Sequence, residues 1–168
     1  MTRKSRTIGR ALAGAIGLCV VTGVVLAGQQ YRALEGVTSA KVVFDVRTGD
    51  PQRAASSLAL MREMLTDDSL TAIAERPEFA LVFSGGAVRL ISSDTEGFSR
   101  EDREVLEQIE ETVSAMTRDG IRLEACLIAA NRFGVDPDSF VAGVDPVGNG
   151  WISLIGYQAK EHSLVAVY

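Results

Sequence analysis

The chain has 168 residues, with 17 basic side chains against 22 acidic ones and a formal net charge of −5. That length suits one domain with a proper core and is short for two. The charge is uneven: Arg3, Lys4, Arg6 and Arg10 have no acidic counterpart in the first 27 residues, so residues 28–168 hold 13 basic against 22 acidic groups, a net −9. Such a surface repels phosphate backbones, which excludes nucleic acid as an expected partner.

The N-terminus reads as an export segment. Behind its basic residues comes an uncharged, apolar run from Ala11 to Ala27, the order of a secretory signal. Val25-Leu26-Ala27 forms a cleavage site before Gly28, and an uncleaved anchor is the alternative because about 20 apolar residues span a bilayer. Positive charge on the N-terminal side sends the rest of the chain across the membrane in either case. The expectation is a periplasmic domain that meets the membrane only through residues 1–27, as a signal peptide or an inner-membrane anchor. Cys19 lies inside the apolar run, so Cys126 is the one cysteine of residues 28–168 and no internal disulfide is expected.

Residues 28–40 show no period and read as a linker. Lys41 to Val46 is rich in β-branched and aromatic residues, which predicts a strand. Asp50-Pro51 supplies an N-cap and a first-turn proline, and Ala54, Leu58, Met61 and Leu65 share one face of a helix over 51–66. Phe79 to Phe83 is apolar throughout, as a parallel strand buried on both faces would be. Ser99 and Asp102 form an approximate capping box for a helix with Val105, Leu106, Ile109, Val113 and Met116 on one face, ended by Gly120. Its acidic opposite face reads as solvated. A strand over Ile121–Ala125, a short helix over Leu127–Phe133, a strand over Phe140–Val144, a helix over Gly150–Lys160 and a strand over Ser163–Val167 complete the chain. Alternating strands and helices predict a three-layer α/β/α sandwich on a mainly parallel five-stranded sheet.

Ligands of such sheets gather outside the carboxyl ends of the strands. Those ends are predicted at Thr48–Asp50, Ser84–Gly86, Cys126 and Asp145–Asn149. Cys126 stands where the third strand stops and a helix begins, a position that favours the thiolate and makes it a candidate nucleophile. A small buried hydrophobe is the equally open reading. His162 is expected at the opposite, amino-terminal edge, away from Cys126. One histidine and one cysteine do not complete a zinc shell, so no metal and no cofactor is expected. The glycine-rich run Gly143–Gly150 lacks the P-loop and dinucleotide signatures and reads as a tight turn needing positive φ. Ser84 lacks the frame of a hydrolase nucleophile.

The segments Lys41-Val42-Val43-Phe44-Asp45-Val46, Leu81-Val82-Phe83-Ser84-Gly85-Gly86-Ala87-Val88, Gly120-Ile121-Arg122-Leu123-Glu124-Ala125-Cys126 and Tyr157-Gln158-Ala159-Lys160-Glu161-His162 resemble, in order and spacing, the DsrE/DsrF-like (YchN-like) sulfur-relay family over residues 41–168. The resemblance implies the same sandwich, trimeric or hexameric homo-oligomers, and a cysteine carrying persulfide sulfur between partners, which maps onto Cys126. Two positions depart from the pattern: Ser84 stands where many relatives have histidine, and Glu161 where relatives usually have glycine. Two classes of function follow. One is a carrier that accepts sulfur on Cys126 from a donor protein or small sulfur compound. The other is a non-catalytic binding or assembly module with a pocket formed by Ser84, Gly85, Gly86, Gly148 and Asn149.

Overall fold

In the structure, a computed structural model that describes residues 31–73 and 77–168, five strands alternate with helices. The export segment lies outside the described residues, and residues 31–40 contain one 3-10 turn, Arg32–Leu34. Strands β1 (Lys41–Val46), β2 (Glu78–Phe83), β3 (Arg122–Cys126), β4 (Val144–Val147) and β5 (Ser163–Val167) form one sheet in the order β4-β3-β2-β1-β5. Every pairing is parallel.

The helices start where short polar side chains can satisfy the free N–H groups of a first turn. In α1 (Pro51–Leu65), Asp50 accepts from the Arg53 N–H at 2.8 Å, and proline fills the first position. After the single turn α2 (Asp68–Thr71), helix α3 (Arg100–Arg118) is capped by Ser99, which accepts from the Asp102 N–H at 3.0 Å and donates its hydroxyl to the Asp102 carboxylate at 2.8 Å. Helix α4 (Leu127–Phe133) follows Cys126 directly, and Asn149 caps α5 (Gly150–Ala159) through the Trp151 N–H at 3.0 Å.

Side chains alternate along a strand, so each strand feeds two layers. Phe44, Val46, Leu81, Phe83, Leu123 and Ala125 point to the α1/α3 side and pack with Leu58, Met61, Ile109, Val113 and Met116 in the larger core. Val43, Ala80 and Val82 point the other way, onto Leu154 and Tyr157 of α5. Each fully buried Leu, Val, Phe or Met contributes roughly 1.5–3 kcal/mol, so the larger layer carries most of the stability. The handedness of parallel crossovers explains the division. Connections from β1 to β2 and from β2 to β3 run one way along the sheet and place α1 and α3 on one face. The return from β4 to β5 runs the other way and places α5 on the opposite face.

The fourth strand differs from expectation. Residues 140–144 do not form it: Phe140 makes an isolated antiparallel bridge to Ser92, and β4 begins only at Val144. The Val141 N–H is drawn to the Ile91 carbonyl at 2.9 Å, and Gly143 then turns the chain at φ +89°. Positive φ is thus needed at Gly143, whereas Asp145-Pro146-Val147, expected in a turn, lie within the strand. Pro146 is tolerated because β4 is an edge strand, where a missing N–H breaks no ladder on its outer side. A Cβ at Gly143 would lie 2.2 Å from the Thr117 methyl. Gly143→Ala is therefore expected to lower stability by about 1–3 kcal/mol, read as a lower midpoint in urea unfolding at unchanged slope.

Candidate functional site

Register brings distant sequence positions into one row. Val46, Phe83, Ala125 and Pro146 are paired across β1, β2, β3 and β4. The next residues, Arg47, Ser84 and Cys126, therefore stand level with one another at the carboxyl edge, on the α5 side of the sheet, one strand spacing of about 4.8 Å apart. One step inward on the same side lie Asp45, Val82 and Glu124.

Cys126 ends β3 and serves as the N-cap residue of α4, with a free thiol. It is 7% exposed and packs with Val88 and Ala129. The start of α5 covers it: a Cβ at Gly150 would come within 3.2 Å of the cysteine Cβ and 3.7 Å of its Sγ. Any side chain at position 150 would crowd the sulfur, so glycine there leaves it room.

Next in the row, the Ser84 hydroxyl donates to Asp45 Oδ1 at 3.2 Å, and Arg47 Nε donates to Asp45 Oδ2 at 2.7 Å. The buried Asp45 carboxylate thus has a partner on each oxygen, as a charge removed from water requires. The Ser84 hydroxyl is committed to Asp45 rather than to the thiol. Gly85 and Gly86 serve packing of the backbone and open no space: Gly86 lies so close to Gly49 that a Cβ would approach its Cα to 2.8 Å, and Gly85 meets the Arg47 carbonyl. A Cβ at Gly148 would meet nothing within 4 Å, while Asn149 is engaged as the α5 cap. The five expected pocket residues therefore share the carboxyl edge with Cys126, and two of them are packing positions.

His162 lies just before β5, at the other edge of the sheet. Its ring is buried against Tyr157, edge to face with centroids 5.1 Å apart; Nδ1 is 3.1 Å from the Tyr157 carbonyl and Nε2 4.0 Å from the Glu78 carboxylate. Beside it the Tyr157 hydroxyl donates to Glu124 Oε1 at 2.8 Å, while Glu124 Oε2 is buried with no partner. Burial and then the acidic partner push the Tyr157 phenol up to about 12. A groove of about 1040 Å³ opens at this amino-terminal edge, lined by Arg62, Glu78, Phe79, Arg122, Tyr157 and His162 among others. It is remote from Cys126. Among the described residues no cluster of His, Cys, Asp and Glu could hold a metal ion, and no helix is long and apolar enough to cross a membrane.

Asp45, Arg47, Glu124 and Tyr157 escaped the sequence reading as site residues. A signal existed for two of them. Asp45 and Glu124 are charges set inside otherwise buried strands, at alternate positions that share the face of Cys126. Such a charge needs a partner, and only the fold names it.

The family model for the DsrE/DsrF-like family matches residues 41–167. The chain belongs to that family. Among solved structures, a protein of unknown function, MTH1491 from Methanobacterium thermoautotrophicum, is 22% identical, with TM-score 0.58 over 76% of this chain and 99% of that one. The YchN protein of E. coli is 13% identical at TM-score 0.46, covering 76% and 98%. BT1422 from Bacteroides thetaiotaomicron, also of unknown function, is 18% identical at TM-score 0.41, covering 76% and 94%. No curated protein matches the chain. The first of these likenesses shows the fold, in agreement with the parallel sheet covered on both sides.

The Glu161 departure has a physical reading. This residue adopts φ +69°, the left-handed conformation that glycine reaches without a side-chain penalty. Glu161→Gly is expected to raise stability by about 0.5–1 kcal/mol, seen as a higher melting temperature. The Tyr157 phenol, raised from 10.0 to about 12, holds its proton more tightly in the folded chain than in the unfolded one. The stability this contributes is fully present below pH 10.0 and is lost as pH rises through about 12. Tyr157→Phe removes that alkaline dependence and leaves Glu124 without its hydroxyl, at a cost of about 1–3 kcal/mol near neutral pH. Thermal unfolding of both proteins from pH 8 to 12 checks the two effects together.

Proposed function

We propose that the chain is an exported sulfur carrier that uses Cys126 alone. The thiolate attacks the outer sulfur of a sulfane donor such as thiosulfate or a polysulfide. One S–S bond forms at Cys126, the donor's S–S bond breaks, and sulfite or the shortened polysulfide departs with the electron pair. Attack by an acceptor thiolate on the outer sulfur then releases Cys126, with no external oxidant, metal or organic cofactor. Membership of the DsrE/DsrF-like family, which is associated with sulfur relay, supports the reading. The observation that carries it is the position of Cys126 at the carboxyl end of β3, where the parallel sheet gathers its reactive groups.

Export is supported by the basic start and the apolar run from Ala11 to Ala27, with processing after Ala27 or retention as an inner-membrane tether. In a periplasm thiols are drawn into disulfides. Residues 28–168 contain no second cysteine, so every exchange at Cys126 is intermolecular. A homo-oligomer, trimeric or hexameric as the family resemblance implies, would shield the persulfide between donor and acceptor. A second reading, a non-catalytic binding or assembly module, is favoured by one fact: Cys126 is nearly buried, packed against Val88 and Ala129 like an ordinary core residue.

The two readings separate on incubating the protein with thiosulfate or polysulfide and weighing the Cys126 peptide. A carrier gains one sulfur there, and Cys126→Ser gains none. No adduct under conditions that label a control thiol would exclude the carrier. In parallel, a carrier thiol reacts with iodoacetamide in the native state at neutral pH, whereas a packing cysteine reacts only after unfolding.

A further inference from the structure

The groove at the amino-terminal edge of the sheet takes no part in the chemistry of Cys126. Its volume of about 1040 Å³ nevertheless matches the upper range of sites for drug-sized ligands. Its two walls differ. On the α1/α3 side, Phe79 and Ile121 are only partly buried and offer apolar surface beside the core. On the α5 side the wall is polar, formed by Arg122, Tyr157 and Lys160. Arg122 stands two residues before Glu124 on β3 and so shares its face of the sheet. Lys160 closes α5, three residues after Tyr157.

Charge selects the occupant. The lining carries Arg62, Arg122 and Lys160 against Glu63, Glu78 and Asp119, besides the buried His162. Two of the three acids are already answered: Asp119 lies 3.9 Å from Arg62, and Glu78 3.5 Å from Lys41 outside the groove. Arg122 and Lys160 have no ion-pair partner among the described residues. Burial and then Glu124 push the Tyr157 phenol up, and Arg122 pulls it back, so the guanidinium stands beside the phenol. Two unpaired cations are thus gathered on one wall of a domain whose residues 28–168 carry a net −9. Such a wall favours an anion. A second negative charge on the ligand is opposed by the acidic domain and by Glu124 behind the wall, one of whose oxygens has no partner. A single carboxylate matches the planar fork of an arginine. The opposite wall offers apolar contact to whatever body bears that carboxylate.

We propose that this groove binds a monocarboxylic acid with an aromatic or branched apolar body, its carboxylate held by Arg122 and Lys160 and its body laid on Phe79 and Ile121. The site stands independently of the sulfur-carrier reading.

The test titrates 2-naphthoate into the full-length chain in a mild non-ionic detergent, followed by isothermal titration calorimetry, with 2-naphthamide as the uncharged isostere. Naphthoate is expected to bind with a dissociation constant below about 1 mM, and naphthamide at least about 10-fold more weakly. Arg122→Gln and Lys160→Gln are each expected to weaken naphthoate at least about 5-fold while leaving naphthamide unchanged. Raising salt from about 0.05 M to about 0.5 M is expected to weaken naphthoate alone. That last measurement uses the wild type and decides the matter even where a variant fails to fold. Equal affinity for the two probes overturns the site, since the apolar body alone would then be held. Naphthoate binding that neither the variants nor salt alter overturns it too, as does no binding to the folded wild type at about 5 mM.

Discussion

The arrangement at the carboxyl edge depends on the register of parallel strands. Because β1, β2 and β3 pair without offset across Val46, Phe83 and Ala125, the residues that follow them stand in one row. A slip of one residue in any strand would turn its core side chains to the opposite layer. The same slip would move Ser84 or Cys126 to the α1/α3 side. Burial of Phe44, Leu81 and Leu123 on one face and Val43, Ala80 and Val82 on the other holds the register on both faces at once. The position of the cysteine is therefore secured by the hydrophobic packing of the central strands.

Two acidic side chains in those strands show how the polar groups are settled. Asp45 has a partner for each oxygen, from Ser84 and Arg47, and so ties the ends of β1 and β2 together beside the cysteine. Glu124 is satisfied on one oxygen only, by the Tyr157 hydroxyl. That contact joins α5 to β3 near the amino edge, while Gly150 brings the head of α5 onto Cys126. Helix α5 is thus fixed at both ends against the strand that carries the cysteine. The amino-edge groove is lined by the same Tyr157 but lies away from the cysteine, and His162 belongs to that groove.

The two faces of the sheet are unequal. One is covered by α1 and by α3, whose outer surface is charged; the other chiefly by the ten uncharged residues of α5, flanked by the exposed strand β5. Hydrophobicity alone would bury Trp151, Ile152 and Ile155. A single helix can turn only one side to its sheet, so the rest of an all-round apolar helix faces outward.

Pattern alone determined much of this protein. Apolar alternation, the Asp50-Pro51 and Ser99 caps and the terminating glycines were enough to place four of the five strands and the longer helices, because these are local signals that tertiary contacts reinforce. The motif order was enough to point to the DsrE/DsrF-like family. The fourth strand was misplaced because Phe140 and Val141 satisfy their strand-like character against Ile91 and Ser92, a long-range choice invisible to a local window. Only the tertiary structure decided that Arg47, Ser84 and Cys126 share a level, that Asp45 binds the first two, and that α5 lies over the third. The three residues that share that level stand 37 to 79 positions apart in the chain. Strand order and crossover handedness set them, and neither is written in any one segment.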